Sequence, residues 1–383
     1  MGIHRFNDLI KKLFVSKTEH IATFRGKKVG VDAMNHLYRI VIGNNMRREQ
    51  FDTTSDYIDT SAAEDNQNTE HIIAIISMIE TMIERKIFPV FVFDGKKPEI
   101  KKKIVRESAA SENPEISKYT HVNITRKQKE EVIKLLEMCG LPVIIAKGEA
   151  DPQCAALTCN IMKKENIVDY IITEDSDILI FGAKSVIKNF SRKNATINII
   201  EQSDILNEML KVINDILLIN NKKIIGRFTE NNLIDLSILF GTDYNKSISY
   251  VKSIDDIIEL FALNDMNINK VAEYILQNKI PDYEIPEDYA KEWAKVREYY
   301  THVEVLEPRD IDTAPKMASI FEIKRYLSEC NFREDVIMRL LTGLKTHRNL
   351  YDNIYRKNSG FTSFASYQVK YHNKPSKYMS WRN

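Results

Sequence analysis

Apolar residues recur along this chain with two different periods, and the switching between them orders the first half of the protein. Short runs rich in β-branched and aromatic residues occupy Lys27–Ala33, Phe88–Phe93, Leu141–Ala146 and Tyr170–Thr173. Between them the apolar positions fall three and four apart, which predicts helices over Met34–Ile42, Glu70–Lys86, Arg126–Cys139 and Ala150–Lys164. Strand and helix alternating at this interval predict an α/β fold, a mainly parallel twisted sheet with helices on both faces. A hairpin is expected over Ser185–Ile200. Beyond it the spacing turns almost wholly helical, over Leu233–Phe240, Ile254–Leu263, Val271–Leu276, Tyr289–Tyr299, Ile320–Leu327 and Glu334–Arg356. Two stretches interrupt the pattern. Residues 44–68 are polar and mildly acidic and read as an insertion. Residues 96–125 open on a lysine cluster and have little apolar periodicity, as expected of a functional flap. The chain thus divides into an α/β core at 1–200, a helical region at 201–343 and a basic, aromatic tail at 344–383.

Composition narrows the class. With 383 residues, 43% of them apolar and 28% charged, the chain has ample core for a soluble globular protein. No apolar run approaches the ~18 residues of a membrane span, and the N-terminus lacks a signal-peptide core. An intracellular protein, nuclear or cytoplasmic and without a membrane partner, is expected. Cys139, Cys154, Cys159 and Cys330 show no zinc-ligand spacing and read as packing thiols. The net charge is only +1, but the sum hides a pattern. Lys96, Lys97, Lys101, Lys102, Lys103 and Arg106 face Glu99 alone within 96–106, and the tail is similarly basic. Such patches suit nucleic acid.

What offsets them is a set of acids placed at or near strand ends. Asp32, Asp94, Glu149, Asp151, Asp175, Asp177 and Asp243 lie in five phrases: Val-Gly-Val-Asp-Ala, Val-Phe-Val-Phe-Asp-Gly, Gly-Glu-Ala-Asp-Pro, Thr-Glu-Asp-Ser-Asp and Gly-Thr-Asp-Tyr. In a parallel sheet the working residues gather beyond the carboxyl ends of the strands, so acids distant in sequence could share one site. Like charges in a confined site need cations to hold them together, and hard oxygen donors select Mg²⁺ or Mn²⁺. Metal-assisted phosphodiester hydrolysis is the leading reading. Each residue has a plainer alternative. Asp32 taken singly reads as a helix N-cap, Tyr38 as a packing residue beside Leu37 and Ile40, and Lys101 and Arg106 as a solvated helix face.

These phrases, with Met-Gly-Ile at the start, Tyr38 six residues after Asp32, and Gly-Leu-Pro before Gly-Glu-Ala-Asp-Pro, resemble the flap endonuclease family, which includes the xeroderma pigmentosum group G nuclease. The resemblance runs from Met1 to about Asp243 and more weakly to about Leu344. It implies a PIN-like 5′ nuclease core and two Mg²⁺ ions, for which Mn²⁺ could substitute. Asp32, Asp94, Glu149 and Asp151 would serve mainly the first ion, and Asp175, Asp177 and Asp243 the second. Lys101 and Arg106 would neutralise phosphate charge in a helical arch at 96–125. Tyr38 would stack on a base, and Gly2, Lys96, Lys97, Lys102 and Lys103 would contact DNA. The implied activity is endonucleolytic cutting of DNA with a 5′ flap or branch by a monomer. A 5′–3′ exonuclease on DNA or RNA, or a silent nucleic-acid-binding relative, are the alternatives.

The pattern breaks in two places. After Asp243 the family has a glycine-rich hairpin that grips duplex backbone and often a monovalent cation; here Tyr244–Lys252 contains no glycine. The C-terminal sliding-clamp motif is also missing, since Phe361-Thr362-Ser363-Phe364 does not match it, so clamp binding is not expected.

Overall fold

The computed structural model describes residues 5–39, 57, 69–96, 98, 100, 124–159, 167–307 and 310–356. Gly2, Lys97, Lys101, Lys102, Lys103 and Arg106 lie outside the described residues, as do most of 44–68 and 96–125 and the tail from 357.

The chain enters on α1 (Phe6–Lys12) and β1 (Ser16–His20), then β2 (Lys28–Asp32), α2 (33–39) and α3 (Glu70–Arg85). There follow β3 (Phe88–Phe93), α4 (Arg126–Met138), β4 (Val143–Ile145), α5 (Ala150–Leu157), β5 (Tyr170–Ile172) and a 3₁₀ turn at Asp177–Leu179. A hairpin of β6 (Ser185–Lys188) and β7 (Thr196–Glu201) closes the sheet. Helices occupy the rest: α6 (Gln202–Ile219), α7 (Glu230–Phe240), α8 (Ile254–Leu263), α9 (Ile268–Asn278), α10 (Tyr289–His302), α11 (Ile320–Glu329) and α12 (Glu334–Tyr351).

The seven strands form one mixed sheet in the order β1-β7-β6-β5-β2-β3-β4. The five from β6 to β4 are parallel, and β7 and β1 pair antiparallel at one edge. Alternation along each strand feeds two cores. Val90 and Val92 of β3 face one, with α5 to α10, while Phe91 and Phe93 face the other, with α3, α4, α11 and α12. Both faces of β3 are buried, which is why its sequence is an unbroken apolar run. The helices that follow residue 201 add to these two cores: Ile205 to Tyr300 join the first, and Ile323 to Leu344 the second. Buried Glu80 on α3 accepts from Arg339 of α12 (2.7 Å) and Arg192 of the hairpin (3.1 Å), tying the second layer together.

The expected α/β architecture is present, with local corrections. The helix expected over Ala150–Lys164 ends at Leu157, because its carbonyl turns to the amides of Ile167 (3.0 Å) and Val168 (3.2 Å). The last helix keeps α geometry to Tyr351 and continues as a π turn over Asp352–Arg356. Strand β1 was not expected: all five residues are exposed, and it is a strand only through its pairing with β7. Helix α6 was also missing from the reading, although its buried stripe Ile205, Met209, Ile213 and Leu217 recurs every fourth residue.

Candidate metal centre

Strand β2 lies between β3 and β5, and the chain passes from β2 to β3 to β4 before returning to β5 on the other side. Strand order therefore reverses beside β2, and a crevice opens beyond the carboxyl ends at such a point. The acids stand around it. Asp32 ends β2, Asp94 follows β3, Glu149 and Asp151 follow β4, and Asp175 and Asp177 follow β5. Asp243 arrives from the turn after α7.

Local hydrogen bonds hold these acids in place. Asp32 accepts from the Asn35 amide (3.1 Å) and the Thr173 hydroxyl (3.1 Å). Asp94 accepts from the Ala150 amide (2.7 Å), so the first turn of α5 is anchored on the end of β3. Glu149 is the N-cap of α5 with an extended backbone, and Asp151 lies in the first turn. At such a junction residues two apart can face the same way, as they cannot within a helix. Asp175 accepts from the Asp177 amide (3.1 Å). Glu149 Oε2 receives two phenols, Tyr244 at 2.6 Å and Tyr299 at 2.9 Å.

Gly95 sets the distance between the end of β3 and the loop after β4. Its amide donates to the Gly148 carbonyl at 2.6 Å, and a Cβ built there would sit 1.9 Å from the Ala146 carbonyl oxygen. Only a residue without a side chain fits.

Mutual repulsion links six of the acids, Asp32, Asp94, Asp151, Asp175, Asp177 and Asp243. Burial pushes the Asp32 carboxyl up to about 7, with Asp94 and Asp175 adding to the rise. Asp151 is pushed well up by burial first, then by Asp175, Asp32, Asp177 and Asp94. Asp175 is raised by burial and by Asp243. Among the described residues, no group of three or more His, Cys, Asp or Glu side chains is gathered tightly enough, as placed, to hold a metal ion. The donors are nevertheless all carboxylate oxygens around one crevice, the set that Mg²⁺, Mn²⁺ or Ca²⁺ takes. The chemistry of the donors fits a hard divalent cation.

A stability test follows from these shifts. A carboxyl whose folded value lies above its unfolded value favours folding fully below the unfolded value and loses that contribution as pH rises through the folded one. For Asp32 the window runs from about 4 to about 7. In EDTA the melting temperature is therefore expected to fall between about pH 4 and 7, and Mg²⁺ to restore most of the loss at pH 7. At about 1.4 kcal/mol per tenfold change in proton affinity, the penalty amounts to a few kcal/mol. Asp32→Asn should make the profile shallower, leaving the share that Asp151 and Asp175 contribute. A wild-type profile in EDTA that is already flat would contradict the coupling.

The remaining expected residues are less central. Tyr38 is half-buried against the second core, and burial first and the charge of nearby Asp94 second raise its phenol. Lys96 is exposed and donates its amide to the Lys147 carbonyl. The sequence reading did not assign Lys129 and Lys188. Lys129 on α4 donates its ammonium to the Asp94 carbonyl, and burial lowers its proton affinity. Lys188 on β6 donates to the Glu174 carbonyl (3.0 Å) and the Ser176 hydroxyl. Tyr244 stands in a quoted phrase without a role, and Tyr299 and Tyr300 carry no motif. Tyr300 is buried beside Asp177, Asp243 and Asp175.

The glycine-free loop after Asp243 is shaped by side chains. Asn245 donates to the Ile238 carbonyl (2.8 Å), Ser247 to the Ser249 carbonyl (2.7 Å), and Ser249 accepts from the Lys252 amide (3.1 Å). Arg5 donates to the carbonyls of Tyr250 (2.6 Å) and Lys252. Serine and asparagine thus do the turn-forming work that glycines would otherwise do.

A parallel-cored α/β sheet with acids at the carboxyl ends of the strands beside its switch point defines the class: an α/β protein with an acidic crevice. Comparison with known proteins makes this specific. The XPG N-terminal domain matches residues 1–113 and the XPG I-region residues 140–243, together more than half of the chain. Flap endonuclease 1 of Tetrahymena thermophila is 26% identical, with 96% of each chain covered. That of Caenorhabditis elegans is 29% identical over 91% of this chain and 87% of its own. The solved structure of flap endonuclease-1 from Methanococcus jannaschii superposes with a TM-score of 0.61 at 20% identity, over 92% of this chain and 99% of that one. The chain belongs to the flap endonuclease/XPG family of nucleases.

Proposed function

We propose that this protein is a Mg²⁺-dependent, structure-specific 5′ nuclease that cuts flapped or branched DNA in replication, repair or recombination. The observation that carries the reading is the placement of acids at the ends of four parallel strands beside one switch point, with the carboxyls of Asp32 and Asp151 pushed upward by burial and by neighbouring acids. Asp32, Asp94, Glu149 and Asp151 would hold one ion, and Asp175, Asp177 and Asp243 a second. Divalent cations bound there would polarise the scissile phosphate and make an attacking water more acidic. In-line attack on phosphorus then breaks the bond to the 3′ oxygen, leaving a 5′-phosphate and a 3′-hydroxyl. Around this centre the chain's own cations balance phosphate charge: Lys129 at the Asp94 carbonyl and Lys188 beside Asp175 and Asp177. Lys101 and Arg106 are assigned the same task from the sequence, and Gly2, Lys96, Lys97, Lys102 and Lys103 contact with the DNA backbone. Tyr38, half-exposed near Asp94, would offer a ring for base stacking.

The protein is proposed to act as a monomer, independently of a sliding clamp, with Mn²⁺ able to replace Mg²⁺. Among the described residues, no helix is long and apolar enough to cross a membrane. The deciding assay uses a 5′-flap duplex labelled at its flap end. Release of the whole flap with Mg²⁺ or Mn²⁺, abolished by EDTA, is the expected result. Release of mononucleotides would instead make the protein an exonuclease, and no cleavage with any divalent ion would leave only a binding role.

A further inference from the structure

We propose that Tyr299 is a positioning residue that sets the metal affinity of the centre by holding Glu149, an inference that rests on Glu149 being a metal ligand. Its hydroxyl donates to Glu149 Oε2 at 2.9 Å, on the oxygen that also receives Tyr244 at 2.6 Å. Glutamate has several rotatable bonds, and two charge-assisted bonds on one oxygen fix both its position and the plane of its carboxylate. The partner comes from far away. Tyr299 is 150 residues from Glu149 in sequence, on α10, outside both segments that match the family's domains. Trp293, Val296 and Tyr300 bury the same helix in the first core, so the phenol is delivered by a rigid element. The Tyr299 ring packs at 4.6 Å and a 55° tilt against Tyr244 and meets Phe181 edge-on at 5.9 Å, which fixes where its hydroxyl points. The helical region after residue 201 thereby reaches directly into the acids of the sheet. Bonds of this kind, one step removed from a metal, typically contribute ~10- to 100-fold in affinity.

The test is Mn²⁺ binding to the full chain without DNA, followed by electron paramagnetic resonance, in a double-variant cycle. Tyr299→Phe keeps the ring and is expected to weaken Mn²⁺ binding by about tenfold. Glu149→Gln should weaken it at least as much, and Tyr299→Phe should add nothing in the Glu149→Gln background. In cleavage assays the half-saturating Mg²⁺ should rise by more than turnover falls. Wild-type Mn²⁺ affinity in Tyr299→Phe, or effects that multiply in the double variant, would overturn the inference while leaving Glu149 a ligand. Wild-type affinity in Glu149→Gln would overturn the ligand assignment itself, and the inference with it. Should Tyr299→Phe not fold, Tyr244→Phe carries the same expectations through the same oxygen.

Discussion

Asp177→Asn is expected to lower single-turnover cleavage of a flapped duplex by about 10³-fold or more while leaving DNA affinity within a few-fold. Asp177 is buried at the start of a 3₁₀ turn, and its charge bears on Asp151 and on the Tyr300 phenol. Asparagine matches aspartate in shape but has one carboxylate oxygen fewer and no charge, so an ion held by Asp175, Asp177 and Asp243 would lose one of its three anionic ligands. Folding should not suffer. Removing one of several mutually repelling charges relieves the metal-free protein, and its melting temperature in EDTA should equal or exceed that of the wild type. Chemistry is measured with labelled flap DNA at saturating enzyme, and affinity by anisotropy in Ca²⁺. Near-normal cutting by the variant would end the two-ion assignment.

The second large effect is structural. Gly95→Ala should lower the unfolding free energy by roughly 3 kcal/mol or more, the range of severe overpacking. A Cβ at position 95 would meet the Ala146 carbonyl oxygen at 1.9 Å and that of Lys147 at 2.9 Å, and both are backbone atoms that cannot rotate away. Relief requires β3 and the loop after β4 to separate, which breaks the bond from the Gly95 amide to the Gly148 carbonyl. Asp94 and Glu149 are carried by those two segments, so cleavage should fall even where the variant folds. Gly226→Ala is the control. A Cβ there meets nothing within 4 Å, and its unfolding free energy should stay within about 0.5 kcal/mol of the wild type. Equal denaturation midpoints for the two variants would contradict the steric argument.

Period and motif order determined much of this protein without coordinates. The change from alternation to helical spacing located β2, β3 and β5 to within a residue or two. The ordered acidic phrases pointed to the family, because each phrase is a local feature set by its own strand end. Strand β1 lay beyond that reach: Ser16–His20 has no apolar period, and only its pairing with β7 makes it a strand. The same holds for the parts that refine the site. Lys129 looks like any solvated lysine on α4 until the helix packs it against Asp94. Gly95 looks like an ordinary turn glycine until the Ala146 carbonyl is placed beside it. Tyr299 meets Glu149 only because α10 docks on the first core at one particular angle. Local sequence determines which groups a segment can offer. Which of them touch is decided by how layers pack, and packing depends on side chains across the whole sheet.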